Sequence, residues 1–218
     1  QTAFLLIKAA KYVASSLLEV AHDTFIYSVK SVTIVEIMGR DAGWIALHSA
    51  IAGGAEICLL PEFPYDINKV MEKIEKRFVK GRGFVNIVIS EGARSVNGFN
   101  VSQISTEPGY ENRVLGGIGF QLEKELKAAG CEYSIRTTVL GHLQRGGIPI
   151  AYDRVLASRF GVKAFELVLE GKFGNMVSYK NSEITYVSLK EAISRMNCVT
   201  PETDLLKTAL GLGICIGV

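Results

Sequence analysis

Apolar side chains recur at helical spacing over residues 5–20, through Leu5, Leu6, Ala9, Ala10, Val13, Leu17 and Val20, with Lys8, Lys11 and Ser15 opposite. This predicts an amphipathic helix. The period then changes: residues 31–37, SVTIVEI, are rich in β-branched side chains and end at Met38-Gly39-Arg40, the pattern of a strand followed by a turn. A second helix is predicted over 41–51, and a short buried strand over 55–60, stopped by Pro61. Asp66 is placed to cap a helix whose apolar face is Ile67, Val70, Met71, Ile74 and Phe78, closed by Gly81. Residues 84–89 form another apolar strand ending at Ser90-Glu91-Gly92-Ala93, followed by a polar loop as far as Arg113. Further on, the pattern predicts a helix over 114–129, a strand over 134–140 and a glycine-rich turn over 141–147. A long helix over 152–170, with Val155, Leu156, Phe165 and Val168 inward, precedes short strands over 176–179 and 184–187. Thr200 and Pro201 suit the start of a last helix.

Strands alternating with helices imply an α/β fold, a mostly parallel sheet with helices on both faces, in which function gathers beyond the carboxyl ends of the strands. No internal repeat or low-complexity linker interrupts it. The 218 residues suffice for one large domain or two small ones. With 24 Lys and Arg against 22 Asp and Glu, a net charge of +2 gives no electrostatic reason to expect a nucleic-acid partner. No run approaches the roughly 20 apolar residues of a membrane span. Cys58, Cys131, Cys198 and Cys215 form no C-x-x-C pair, which points to a reduced, cytoplasmic setting, with Cys58 and Cys215 packed as small hydrophobes. The opening at Gln1, without a basic and apolar leader, reads as a truncated or processed product.

Three predicted strands end in polar, glycine-flanked sequences suited to a ligand: Met38-Gly39-Arg40, Glu91-Gly92-Ala93 and the run from Gly141 to Gly147. Gly39 permits a tight turn, and Arg40 then projects either a planar fork able to grip phosphate or an ordinary solvated charge. Glu91 could accept hydrogen bonds from sugar hydroxyls or serve structurally at a helix start. His142 and Arg145 flank a flexible turn where an imidazole and a guanidinium can converge on one anion. Arg136, inside a strand, is either exposed at an edge or directed into a site or a subunit interface. Competing constellations are poorer. His22 and Asp23 cap or leave the first helix, His48 lies in an apolar helix, and the three His have no metal-ligand spacing. No G-x-S-x-G turn or dinucleotide fingerprint occurs, and the lysines over 69–80 read as a solvated helix face.

The runs VEIMGRDAGWIALHSAIAGGAE (35–56), SEGA (90–93) and TVLGHLQRGGIPIAYDRVLASRFG (138–161) resemble the corresponding stretches of 6-phosphofructokinases, in the same order and with similar spacing. The likeness extends over nearly the whole chain. AAKYVASSLLEVAHDT (9–24) with SVTIVEIMGR resembles the bacterial branch holding pyrophosphate-dependent and mixed-donor enzymes more than the short ATP-dependent type. By this resemblance Met38, Gly39 and Glu91 contact the fructose moiety of fructose 6-phosphate, and His142 and Arg145 hold its 6-phosphate. Arg136 reaches that phosphate from a neighbouring subunit, and Arg40 stabilises the transferring phosphoryl group. A second family arginine has no counterpart, its place being taken by Ser31 with Lys30 beside it.

The family's glycine-rich donor loop, and the acidic motif bearing the general base and a magnesium ligand, precede the region where these residues start. The resemblance therefore implies a substrate lobe over residues 1–141, and over 142–218 a segment that returns to the donor lobe and crosses back. It implies transfer of phosphate from ATP or pyrophosphate to the 1-hydroxyl of fructose 6-phosphate in glycolysis, with Mg2+ held outside this chain, by a homodimer or homotetramer. The 218 residues alone are expected to be inactive. Two other readings stand beside it: a catalytically silent sugar-phosphate-binding or oligomerisation piece, and a generic α/β nucleotide-binding module, which the lack of a phosphate loop disfavours.

Overall fold

In the computed structural model, the described residues are 9–19, 30–81, 83–97, 102–103, 114–115, 117–194 and 196–218. Every residue of β1 (Ser31–Ile37) is buried, the mark of a strand covered on both faces. It pairs in parallel with β3 (Phe84–Ser90) on one side and β6 (Ser134–Val139) on the other. With β2 (Ile57–Leu59) beyond β3, the sheet has the order β2-β3-β1-β6 and is parallel throughout. Parallel neighbours need crossovers. These contain α2 (Trp44–Gly53), α3 (Ile67–Val79) and α4 (Ile118–Ala128).

Side chains alternate across the sheet and divide the core in two. One face, Val35, Ile37, Cys58 and Val88, lies under Val13 and Leu17 of α1 (residues 9–19), Ala46, Leu47 and Ala50 of α2, and Leu206 and Ala209 of α7 (Asp204–Gly211). The other face carries Val32, Ile34, Ile87 and Ile89. It packs on Val70, Ile74 and Phe78 of α3 and Ile118, Leu122 and Leu126 of α4. Asp66 caps α3 as the sequence predicts, its carboxylate accepting the Asn68 N–H at 2.9 Å. A short antiparallel pair, β4 (Ser102–Gln103) and β5 (Val114–Leu115), precedes α4. After the sheet come α5 (Ala151–Leu169), the hairpin of β7 (Asn175–Lys180) and β8 (Glu183–Ser188), and α6 (Leu189–Ser194).

Several expectations are corrected. The helix predicted from residue 114 begins at Ile118, because Val114 and Leu115 pair with β4 and Gly117, at φ 89°, turns the chain. The helix predicted from 41 starts at Trp44, after Gly43, whose N–H is held by Glu62. The last begins at Asp204, since Thr200 to Thr203 form a turn closed by the Thr200 N–H on Thr203 Oγ1 at 2.9 Å. In α5 Leu156 is buried, but Val155, Phe165 and Val168 are exposed. That helix is apolar around much of its circumference and packs among the described residues on β7 and β8, so other apolar positions face outward. Arg77 is no part of a solvated lysine face: it donates to the buried Glu56, which also accepts the Asn86 N–H at 2.7 Å. Residues 5–8 and 20 of the first predicted helix, with His22 and Asp23, lie outside the described residues. No described helix is long and apolar enough to cross a membrane.

The tail returns to the sheet. Cys215 forms a parallel bridge with Ile57, and the Cys58 N–H donates to the Cys215 carbonyl at 2.8 Å. Glu62 fastens this tail to the loop after β1: its carboxylate accepts the Gly43 N–H at 2.9 Å and the Val199 N–H at 2.8 Å. The Trp44 indole N–H donates to the Asn197 carbonyl at 2.7 Å beside it. Glu62→Ala removes one acceptor from both segments, and a cost of about 1 to 3 kcal/mol is expected. Amide hydrogen exchange at Gly43 and Val199 should accelerate together; unchanged protection at both would mean that Glu62 is not the fastener.

Candidate functional site

Parallel strands bring their carboxyl ends to one edge, and three loops leave there: Met38-Gly39-Arg40 after β1, Glu91-Gly92-Ala93 after β3, and, after Leu140, a 3-10 turn (Gly141–Arg145) following β6. The first two are locked together. The Glu91 N–H donates to the Ile37 carbonyl at 2.8 Å, the Gly39 N–H donates to Glu91 Oε1 at 3.4 Å, and the Ser90 hydroxyl donates to the Gly39 carbonyl. Two glycines make the approach possible. A Cβ on Gly39, at φ 148°, would stand 2.4 Å from Ser90 Oγ, and one on Gly92 would stand 1.6 Å from the Arg40 carbonyl oxygen.

Glu91 is half-buried, and burial pushes its carboxyl above the usual carboxylate range. The Gly39 N–H opposes that shift, the Glu36 carboxylate adds to it, and the positive charges of Arg145 and Arg40 oppose it. Guanidinium charges from two loops thus act on one carboxylate. Arg40 is exposed, with its Nε 4.0 Å from Asp41 Oδ2, a weak pairing in water. Glu36, buried in β1, is satisfied by the Gly117 and Gly119 N–H groups at 2.9 and 2.8 Å, so it caps α4 from a neighbouring strand.

On the 3-10 turn His142 and Arg145 are exposed, while Gln144 between them is 1% exposed. Gln144 Oε1 accepts the Met38 N–H at 3.3 Å, and its Nε2 donates to the Gly141 carbonyl at 3.1 Å. The structure therefore assembles Met38, Gly39, Arg40, Glu91, His142 and Arg145 at one sheet edge. Arg136 stands elsewhere: it pairs at the level of Thr33 on the edge strand β6, exposed, roughly 16 to 17 Å short of the Met38 level at ordinary strand rise. The arrangement suits a ligand with an anionic group for the imidazole and guanidinium, and hydroxyls for the carboxylate.

Sequence reasoning assigns no role to Gln144, Glu36, Ser90 or Gly92. The one charged side chain in a strand otherwise free of charge could have singled out Glu36, since a buried charge requires partners; the other three depend on contacts between distant segments. Another hollow, of about 300 Å³, lies between α2, α3 and α7. Its charges are already engaged, Arg77 with Glu56 and Lys73 Nζ with the Gly213 carbonyl at 2.5 Å. Among the described residues no three metal-ligating side chains converge.

Comparison with known proteins agrees with this architecture. The phosphofructokinase family model matches residues 8–168. The ATP-dependent 6-phosphofructokinase 2 of Clostridium perfringens is 43% identical over 205 residues, 94% of this chain and 56% of that protein. The pyrophosphate–fructose 6-phosphate 1-phosphotransferase of Amycolatopsis methanolica is 44% identical over 169 residues, 78% of this chain and 49% of that protein. The crystal structure of a pyrophosphate-dependent phosphofructokinase from Marinobacter aquaeolei superposes with a TM-score of 0.70 at 26% identity, covering 95% of this chain and 51% of the other. The chain spans about half the length of the relatives it matches. With the parallel sheet, the loops at its carboxyl edge and these similarities in agreement, the chain belongs to the phosphofructokinase family.

Proposed function

We propose that this chain is the sugar-phosphate-binding part of a 6-phosphofructokinase that transfers phosphate from ATP or pyrophosphate to the 1-hydroxyl of fructose 6-phosphate. The observation that carries the reading is the meeting of the Gly39 turn, Glu91 and the His142–Arg145 turn at the carboxyl edge of one parallel sheet. His142 and Arg145 hold the 6-phosphate, a doubly charged group suited to an imidazole N–H and a guanidinium. Glu91 and Met38 position the fructose moiety. Arg40 offsets the charge that spreads over the phosphoryl oxygens in the transition state. Arg136, on an open strand edge, serves the phosphate of a neighbouring subunit in a homodimer or homotetramer.

The donor, its Mg2+ and the base that takes the hydroxyl proton are supplied from outside these residues. Residues 1–141 form the substrate lobe; 142–218 return to the donor lobe and cross back. The exposed apolar side chains Val155, Val162, Phe165 and Val168 on α5 are covered by the rest of that lobe. The 218 residues alone turn over neither ATP nor pyrophosphate, because phosphoryl transfer needs donor, metal and acceptor in one place.

Calorimetric titration tests the reading. Fructose 6-phosphate should bind the chain and unphosphorylated fructose should not. His142→Ala and Arg145→Ala should each weaken binding about tenfold or more, since each removes a charge-assisted bond worth roughly 1.5 to 3 kcal/mol. Equal affinity in both variants would remove these residues from the site. Steady formation of fructose 1,6-bisphosphate by the purified chain would contradict the division of labour.

Glu91 adds a pH dependence. Its folded-state pKa lies above the unfolded value, so the folded chain binds this proton more tightly, and the stabilisation is present at low pH and declines as pH rises through the raised value. Glu91→Gln retains an acceptor for the Gly39 N–H and removes the titration. The variant should therefore gain stability relative to the parent between about pH 4 and about pH 7 in urea unfolding. A constant difference across that range would mean that burial does not penalise the Glu91 charge.

A further inference from the structure

We propose that Gln144 is a positioning residue of the sugar-phosphate site, the side chain that sets the turn bearing His142 and Arg145 against the end of β1. The inference rests on the reading that this site takes fructose 6-phosphate. Parallel pairing between β1 and β6 ends with Glu36 opposite Val139, and the Leu140 N–H makes one more bond to the Glu36 carbonyl at 3.0 Å. Beyond it the Met38 N–H faces no partner strand. Gln144 Oε1 accepts that N–H at 3.3 Å and so extends the ladder by a side-chain rung.

The other end of the same amide closes the turn on itself, with Nε2 donating to the Gly141 carbonyl at 3.1 Å where Gly141 takes φ 46°. One amide therefore uses its acceptor on the strand and its donor on the turn. Its burial distinguishes it from both neighbours in function: Gln144 is 1% exposed, whereas His142 and Arg145 point into solvent. Their distance from Gly39 and Glu91 is inherited from the rung. A hydrophobic side chain of similar size would leave the Met38 donor and the Gly141 acceptor without it, and the turn could shift by the fraction of an ångström that separates a two-sided grip on phosphate from a one-sided one.

A carboxylic acid in its neutral form carries one donor and one acceptor, as the amide does; ionised, it has no donor and sets a charge against the Gly141 carbonyl. Fructose 6-phosphate titrations of the 218-residue chain with Gln144→Glu and with Gln144→Leu, each expressed as a dissociation constant relative to the parent at the same pH, use this difference. The ratio cancels the titration of the ligand's own phosphate. Burial at this position, where Gln144 is 1% exposed, favours the neutral form of an introduced carboxyl, so for Gln144→Glu the ratio should lie near one at about pH 5 and rise to about ten or more by about pH 8. For Gln144→Leu it should stay about tenfold at every pH. A Leu variant that binds like the parent, with a Glu variant that weakens as it ionises, would assign the effect to simple charge repulsion and overturn the positioning role. A Glu variant whose ratio does not change with pH would overturn it too. If the parent chain binds no fructose 6-phosphate, the functional reading itself fails and this inference with it.

Discussion

Two backbones meet where no side chain could stand between them. The Arg40 carbonyl occupies the space a β-carbon of residue 92 would need, and the Gly39 turn leaves the same lack of room beside Ser90. The rest of the site follows from that approach. It aims the Gly39 N–H at Glu91, fixes the direction in which Arg40 leaves β1, and puts Ser90 in reach of the Gly39 carbonyl. The approach in turn requires β1 and β3 to be neighbours in register, with Ile37 beside Ser90, and the burial of β1 on both faces secures this. A change in the core would therefore be felt at the site through strand register even with every site residue intact.

Charge follows the same layout. Glu36 carries a charge into the sheet and is held by amides at the start of α4, where a helix end favours an anion. Glu91 stands close enough to feel that charge and, from the solvent side, the opposing charges of Arg40 and Arg145. Negative groups thus lie at the sheet edge and positive groups on the loops above it. This order suits a ligand with hydroxyls at one end and phosphate at the other.

Much of this is legible in the chain, for identifiable reasons. Strand ends are marked locally, by the change from β-branched residues to glycine and charge, so the amino-acid order alone places Met38-Gly39-Arg40 and Glu91-Gly92-Ala93 at strand ends. The α3 helix is equally legible, because its apolar stripe is narrow and Asp66 caps it. Helix α5 is not: with apolar side chains around much of its surface, periodicity does not tell which of them pack within this chain, and Val155 and Phe165 are exposed among the described residues while Leu156 is buried. The roles of Gln144 and Glu36 join residues 106 and 81 positions apart, respectively, and no local pattern reports such a pairing. Arg136 is unusual for a strand on composition alone, and its exposed place on β6 agrees with an edge rather than with a site inside one chain.

In the proposed role, one sheet edge gathers three loops around a sugar phosphate. The most direct measurement is a map of backbone amide chemical shifts during titration of the isotopically labelled chain with fructose 6-phosphate. Shifts should concentrate at Gly39, Gly92 and the turn from Gly141 to Gly146, and unphosphorylated fructose should leave all of these unmoved. Shifts gathered instead around Lys73, Arg77 and Gly213 would place the ligand in the hollow between α2, α3 and α7 and not at the sheet edge.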